Sequence, residues 1–163
     1  MFNASQIPAL YHPTCVMLID DSETFLMSLS LGLDEDIPCL TRSNPRAALE
    51  ELKSRLFQPS FTSLESLLAN PNRFNEVGVA VVDKSMPAID GLELCAQLDH
   101  SRIKTILLTG VADVTPALHA LQTGIIDAYI NKGELSALHK LNHTIKEFSA
   151  NLLMTAYEDR LVG

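Results

Sequence analysis

Three short apolar runs in this chain stop in the same way. Leu18-Ile19-Asp20, Val81-Val82-Asp83 and Leu107-Leu108-Thr109 each end on one polar residue. They belong to a series of five runs: Cys15–Ile19, Ile37–Leu40, Val77–Val82, Ile103–Leu108 and Ile126–Ile130. Three of the five are almost purely apolar, the pattern of strands covered on both faces of a parallel sheet. Ligands of open α/β sheets sit outside the carboxyl ends of the strands. Asp20, Asp83 and Thr109 are therefore expected to face one crevice.

Helical signals fill the gaps between the runs. Phe25, Leu29 and Leu33 recur every four residues after Asp21-Ser22. Asn44-Pro45 reads as a cap and first turn opening a helix over 46–56, because proline needs no donor there. Asp90-Gly91 precedes a helix over 92–98, and Thr115-Pro116 reads as the start of one that runs to Gln122 and stops at Gly124. The expected class is α/β, a doubly wound five-stranded parallel sheet with right-handed crossovers.

Two stretches exceed that frame. Residues 58–76, with Pro59 and Pro71 around an amphipathic segment, are too long for a helix-to-strand connection of roughly 2–6 residues. They read as an insertion at the domain edge. In the tail, Leu138, Leu141, Ile145, Phe148 and Leu152 alternate by three and four. This is heptad spacing, and it fits a final helix packed on its own sheet, or one whose end mediates dimerisation or leads to another domain. The expected organisation is a tail over 1–13, one domain over 14–148 and an extension of the last helix over 149–163.

The bulk properties narrow the function. The chain has 163 residues and 47% hydrophobic residues, enough for a full core. Its net charge of -8 argues against nucleic-acid binding by this segment. No apolar run approaches the roughly 18 residues that span a bilayer, and the first 13 residues lack the pattern of a signal peptide. Cys15, Cys39 and Cys95 lie far apart in apolar surroundings without metal-ligand spacing. They read as reduced core thiols of a cytoplasmic protein.

Asp20, Asp21 and Asp83 placed in one crevice would repel each other. A hard divalent cation relieves that, and Mg2+ takes oxygen ligands while keeping positions open for a phosphate oxygen. Lys132 follows the fifth run and Thr109 ends the fourth, so an ammonium and a hydroxyl reach the same place. Carboxylate nucleophile, metal, ammonium and hydroxyl together are what phosphoryl transfer to a carboxylate requires.

These residues carry a family resemblance. Leu18-Ile19-Asp20-Asp21-Ser22 is similar to the acidic pair of response-regulator receiver domains in two-component signalling. The segment from Val81 to Leu94, with Asp83, Met86-Pro87 and Asp90-Gly91, resembles their phosphoacceptor loop. Leu108-Thr109-Gly110 is similar to the switch strand, and Tyr129 stands three residues before Lys132, where the family keeps its aromatic and lysine. The resemblance covers roughly 14–148 and implies a flavodoxin-like fold of strand order 2-1-3-4-5. It implies Asp83 as phosphoacceptor, and Mg2+ held by Asp20, Asp21, Asp83 and the Ser85 carbonyl. Lys132 would bind the phosphate, with Thr109 and Tyr129 as switch residues. A sensor histidine kinase or histidine phosphotransfer protein would be the donor. The readout surface would be the fourth helix, fifth strand and last helix, and a homodimer would form there or through the extended last helix. Gly133 stands where the family usually has proline, which argues against a cis peptide after Lys132, since a non-proline cis bond costs about 2.5–4 kcal/mol.

Two other functions fit parts of the pattern. A phosphatase of the haloacid dehalogenase class also uses an aspartate nucleophile, but carries it first in the chain as Asp-x-Asp, whereas here the acidic pair comes first. A pure interaction module would keep the fold without the chemistry. His139 and His143 lie one helical turn apart but lack a third ligand, and His12, His100 and His119 form no catalytic group.

Overall fold

The computed structural model describes residues 14–55, 76–98, 100 and 102–162. Strands and helices alternate as β1 (Cys15–Ile19), α1 (Glu23–Gly32), β2 (Cys39–Arg42), α2 (Pro45–Arg55) and β3 (Val77–Asp83). There follow α3 (Gly91–Ala96), β4 (Lys104–Thr109), α4 (Val114–Gln122), β5 (Ala128–Asn131) and α5 (Ala137–Val162). The tail over 1–13 and all but Glu76 of the insertion at 58–76 lie outside the described residues.

The five strands form one parallel sheet in the order β2-β1-β3-β4-β5. This is the doubly wound order implied by the resemblance. The order reverses at β1, so the carboxyl ends of β1 and β3 flank a crevice at the topological switch point.

The period of two along each strand sorts the core into two layers. Met17, Ile19, Ala80, Val82 and Leu107 point to one face, against Leu49 and Leu52 of α2, Leu94 and Cys95 of α3, and Ala117 and Ala120 of α4. Val16, Leu18, Val79, Val81, Ile106 and Leu108 point to the other, against Leu26 and Leu29 of α1 and Leu141 and Ile145 of α5. Helices on both faces explain why β1 and β3 are buried at every position and read as continuous apolar runs.

Local chemistry sets the helix starts. Ser22 Oγ accepts from the Phe25 N–H at α1, Asn44 Oδ1 from the Ala47 N–H at α2, and Asp90 Oδ1 from the Leu92 N–H at α3. Gly124 ends α4 at φ +81°, a left-handed conformation suited to glycine.

Several boundaries move. The second run, expected over 37–40, forms its strand two residues later, as Cys39–Arg42. This strand lies at the sheet edge and is only half-covered, so the apolar residues do not mark its extent. The fifth run is displaced in the same direction. The helix expected to open at Thr115-Pro116 starts at Val114, after a 3-10 turn over Val111–Asp113. Pro116 sits in the first turn, where its missing donor has no helical partner to lose.

Four of the five heptad residues of α5 are turned on the chain's own sheet, whereas Leu138 is half-exposed beside Gly32 at the end of α1. Leu141 and Ile145 are buried, Phe148 packs on the same layer, and Leu152 lies over Gly78. Asn142 joins α5 to the end of α1: its Oδ1 accepts from the Asp34 N–H at 2.7 Å and its Nδ2 donates to the Gly32 carbonyl at 3.1 Å. Lys146 adds ion pairs to Asp34 and Asp36. Among the described residues no helix is long and apolar enough to cross a membrane.

Candidate functional site

The crevice at the carboxyl ends of β1 and β3 gathers Asp20, Asp21 and Asp83. Each offers a carboxylate oxygen, and the three oxygens lie within 4.8 Å of one another. Asp20 and Asp83 are buried at 4% exposure, whereas Asp21 is open to solvent. Asp20 is held by the Ser22 N–H, which donates to its Oδ1 at 2.8 Å.

Burial pushes the Asp20 carboxyl up to about 6. The Ser22 hydrogen bond opposes that rise, the Asp83 charge adds to it, Lys132 lowers it and Asp21 raises it. A carboxylate held this far above its ordinary range marks a site shut off from solvent, to which the neighbouring Asp83 and Asp21 charges add. The donors are all oxygen, which fits a hard divalent cation.

Lys132 supplies the compensating charge already present. Its Nζ lies 2.7 Å from Asp83 Oδ1 and 5.3 Å from the centroid of the Phe25 ring. The backbone fixes its origin: the Lys132 N–H donates to the Thr109 carbonyl at 2.9 Å, which extends the β4–β5 ladder by one step. No peptide bond among the described residues is cis, so the bond after Lys132 is trans, as glycine at 133 implied.

Thr109 ends β4 fully buried, and its Oγ1 donates to the Ile130 carbonyl at 3.4 Å. Tyr129 is half-buried against the core layer beneath α2, α3 and α4. Ser85 is exposed in the loop after β3. The structure therefore brings Asp20, Asp21, Asp83 and Lys132 into one cluster, with Thr109 on the strand beside Asp83 and Tyr129 on the strand beyond.

The loop after β3 is braced from several sides. Met86 and Ile89 plug it into the core. A Cβ on Gly91 would lie 2.3 Å from the Asp83 carbonyl oxygen, so only glycine permits α3 to start this close to the strand end. Arg46 of α2 donates to the Ala88 carbonyl at 2.7 Å. Lys84 Nζ lies 2.8 Å from Asp90 Oδ2 and 3.8 Å from Asp113 Oδ1. No sequence signal pointed to Arg46, Lys84 or Asp113, since each acts through residues brought near only by folding.

The cysteines do not contribute. Cys15 and Cys95 are buried and not in disulfides, and burial pushes the Cys95 thiol up to about 12. His143 pairs weakly with Glu147 on exposed helix surface. Among the described residues Asp20, Asp21 and Asp83 form the one group of metal-ligand type.

A carboxylate trio with an opposed ammonium thus lies at the switch point of a doubly wound parallel sheet. Residues 16–143 match the family model of the response regulator receiver domain, and the chain belongs to that family. Among solved structures it is similar to the response regulator LqsR of Legionella pneumophila, at 32% identity and a TM-score of 0.78 over 90% of this chain and 47% of that one. The chain thus spans about half the length of that relative. A receiver domain protein from Clostridium thermocellum shares the fold at 20% identity and a TM-score of 0.63, over 87% of this chain and 98% of that one. So does the receiver domain of a Francisella response regulator, at 18% identity and 0.62, over 86% and 99%. No curated protein matches the sequence.

Proposed function

We propose that this chain is a phosphoacceptor: residues 14–148 take a phosphoryl group on Asp83 from a histidine kinase or histidine phosphotransfer protein and pass the event on as a change of surface. The observation that carries the reading is the Lys132 ammonium 2.7 Å from Asp83, inside a carboxylate cluster only 4.8 Å across.

Asp20, Asp21, Asp83 and the Ser85 carbonyl would hold Mg2+, which when bound supplies charge neutralisation for the incoming phosphate oxygens. A carboxylate oxygen of Asp83 attacks phosphorus, the new O–P bond forms as the donor's P–N bond breaks, and the electron pair leaves with the imidazole. Lys132 then exchanges its Asp83 oxygen for a phosphoryl oxygen. Thr109 gives up its bond to the Ile130 carbonyl and turns toward the phosphate, and Tyr129 follows into the vacated space. The added charge of about -1.5 to -2 biases the two arrangements.

The readout surface is α4, β5 and α5. Val114, Leu118 and Leu121 of α4 are partly exposed and apolar, so a homodimer or a partner would use this face. The heptad of α5 is occupied by its own sheet up to Leu152, which leaves the segment beyond it for assembly or linkage. Turnover is limited to self-phosphorylation and slow loss of the phosphoryl group.

The test is labelling by acetyl phosphate or phosphoramidate with Mg2+, read by intact mass on wild type and Asp83→Asn. One Mg2+-dependent phosphate on wild type and none on the variant is expected. An unlabelled wild type that neither binds Mg2+ nor accepts phosphate from any kinase would refute the reading.

A further inference from the structure

We propose that Lys84 is a positioning residue for this chemistry: a cationic brace that keeps the loop carrying Asp83 in register with the turn behind Thr109. The inference rests on the phosphoacceptor reading above.

Lys84 follows Asp83, yet its side chain goes elsewhere. The Asp83 carboxylate meets Lys132, while the Lys84 ammonium lies between Asp90 and Asp113, with only 18% of its side chain exposed. A lysine this covered forgoes much of its hydration, and two carboxylates offset the loss. The Asp90 hydrogen bond raises its affinity for the proton further, and Asp113 adds to that.

Both carboxylates already organise backbone. Asp90 Oδ1 accepts from the Leu92 N–H at the start of α3. Asp113 Oδ2 accepts from the N–H of Gly110, the residue after Thr109. One ammonium therefore links the start of α3 to the turn that carries Thr109. The Lys84 main chain makes the same link, since its N–H donates to the Leu108 carbonyl and its carbonyl accepts from the Gly91 N–H, both at 2.9 Å.

The two arms differ in length. The Asp90 arm is closed at 2.8 Å, whereas the Asp113 arm stands at 3.8 Å. Thr109 Oγ1 is turned to the Ile130 carbonyl and rotates to face a phosphoryl group on Asp83. With its Asp90 arm closed and its Asp113 arm reaching the turn behind Thr109, the brace holds the backbone from which that hydroxyl swings.

The experiment compares labelling rates with phosphoramidate at saturating Mg2+ for wild type, Lys84→Met, Lys84→Arg, Asp113→Asn and the double variant Lys84→Met/Asp113→Asn. Loss of one partly covered ion pair slows labelling by about fivefold. Asp113→Asn, which cuts one arm, is expected to show that loss, Lys84→Met, which cuts both, at least as much, and the double variant no more than Lys84→Met. Lys84→Arg is expected to restore most of the rate. The Mg2+-induced rise in melting temperature stays at the wild-type value in all, which a merely structural role would not predict. If Lys84→Met fails to fold, Asp113→Asn carries the test alone. Wild-type rates in Lys84→Met and Asp113→Asn, or losses that multiply in the double variant, would overturn the brace and leave the phosphoacceptor reading standing. A wild type that is not labelled, does not bind Mg2+ and takes no phosphate from any kinase would remove that reading, and the brace with it.

Discussion

Neutralising Asp20 should make the metal-free protein more stable. Asp20 is buried beside Asp83 and Asp21, and its carboxyl titrates at about 6 against 3.8 for an ordinary aspartate. In the pH window between those values the folded chain holds a proton that the unfolded chain has released. The group's favourable contribution is therefore complete below about pH 4 and is lost as pH rises through 6. At pH 7.5 the ionised carboxylate costs the fold up to about 3 kcal/mol, since each unit of pKa is worth about 1.4 kcal/mol. Asp20→Asn removes the charge but keeps an Oδ1 to accept from the Ser22 N–H. Urea denaturation in EDTA at pH 7.5 should show the variant more stable by up to about 3 kcal/mol, and its melting temperature about 6–12 °C higher. At pH 5, midway through that window, the gain should fall to about half, and it should nearly vanish only below about pH 3.5. Mg2+ should stabilise wild type strongly and the variant weakly. A variant no more stable than wild type at pH 7.5, or a gain of equal size at pH 5, would refute the account of a charge-strained crevice.

Gly91→Ala places a methyl 2.3 Å from the Asp83 carbonyl oxygen. It should cost about 1–3 kcal/mol in chemical denaturation and slow labelling of Asp83 by displacing the strand end. Asn142→Ala strips the α1 end of its bonds from the Asp34 N–H and to the Gly32 carbonyl, an expected loss of about 1–2 kcal/mol by the same assay. Gly124→Ala meets no atom within 4 Å but inherits φ +81°. Its cost of about 1–2 kcal/mol should come from backbone strain alone and leave labelling unchanged.

The sheet was legible because its central strands are buried on both faces. Cys15–Ile19 and Val77–Val82 stand out as apolar runs, and the polar residues that end them fall at the crevice. The edge strands were read two residues early because one side of each is open, so Arg42 and Asn131 lie within strands without an apolar mark. The start of α4 was misplaced for a related reason. Thr115-Pro116 is a good local cap, but Asp113 and the Gly110 N–H form a 3-10 turn first. Of the site, the four charged residues of the crevice were visible because each abuts a strand end. Lys84, Asp113 and Arg46 were not, since their partners lie on separate loops that only the folded chain brings together. The heptad of α5 showed a stripe but not which surface it would cover.

The length of α5 has a mechanical consequence. The helix continues unbroken from Ala137 to Val162, 26 residues, or about 39 Å of rod at 1.5 Å per residue. Its near end follows β5, the strand of Tyr129 and Asn131, and Lys132 leads into it. A rigid rod of that length pivoting by roughly 5° at its base moves its tip by about 3 Å. A tilt of α5 that displaced its packed part by an ångström or less would be magnified at its far end, and the helix would then act as a lever arm.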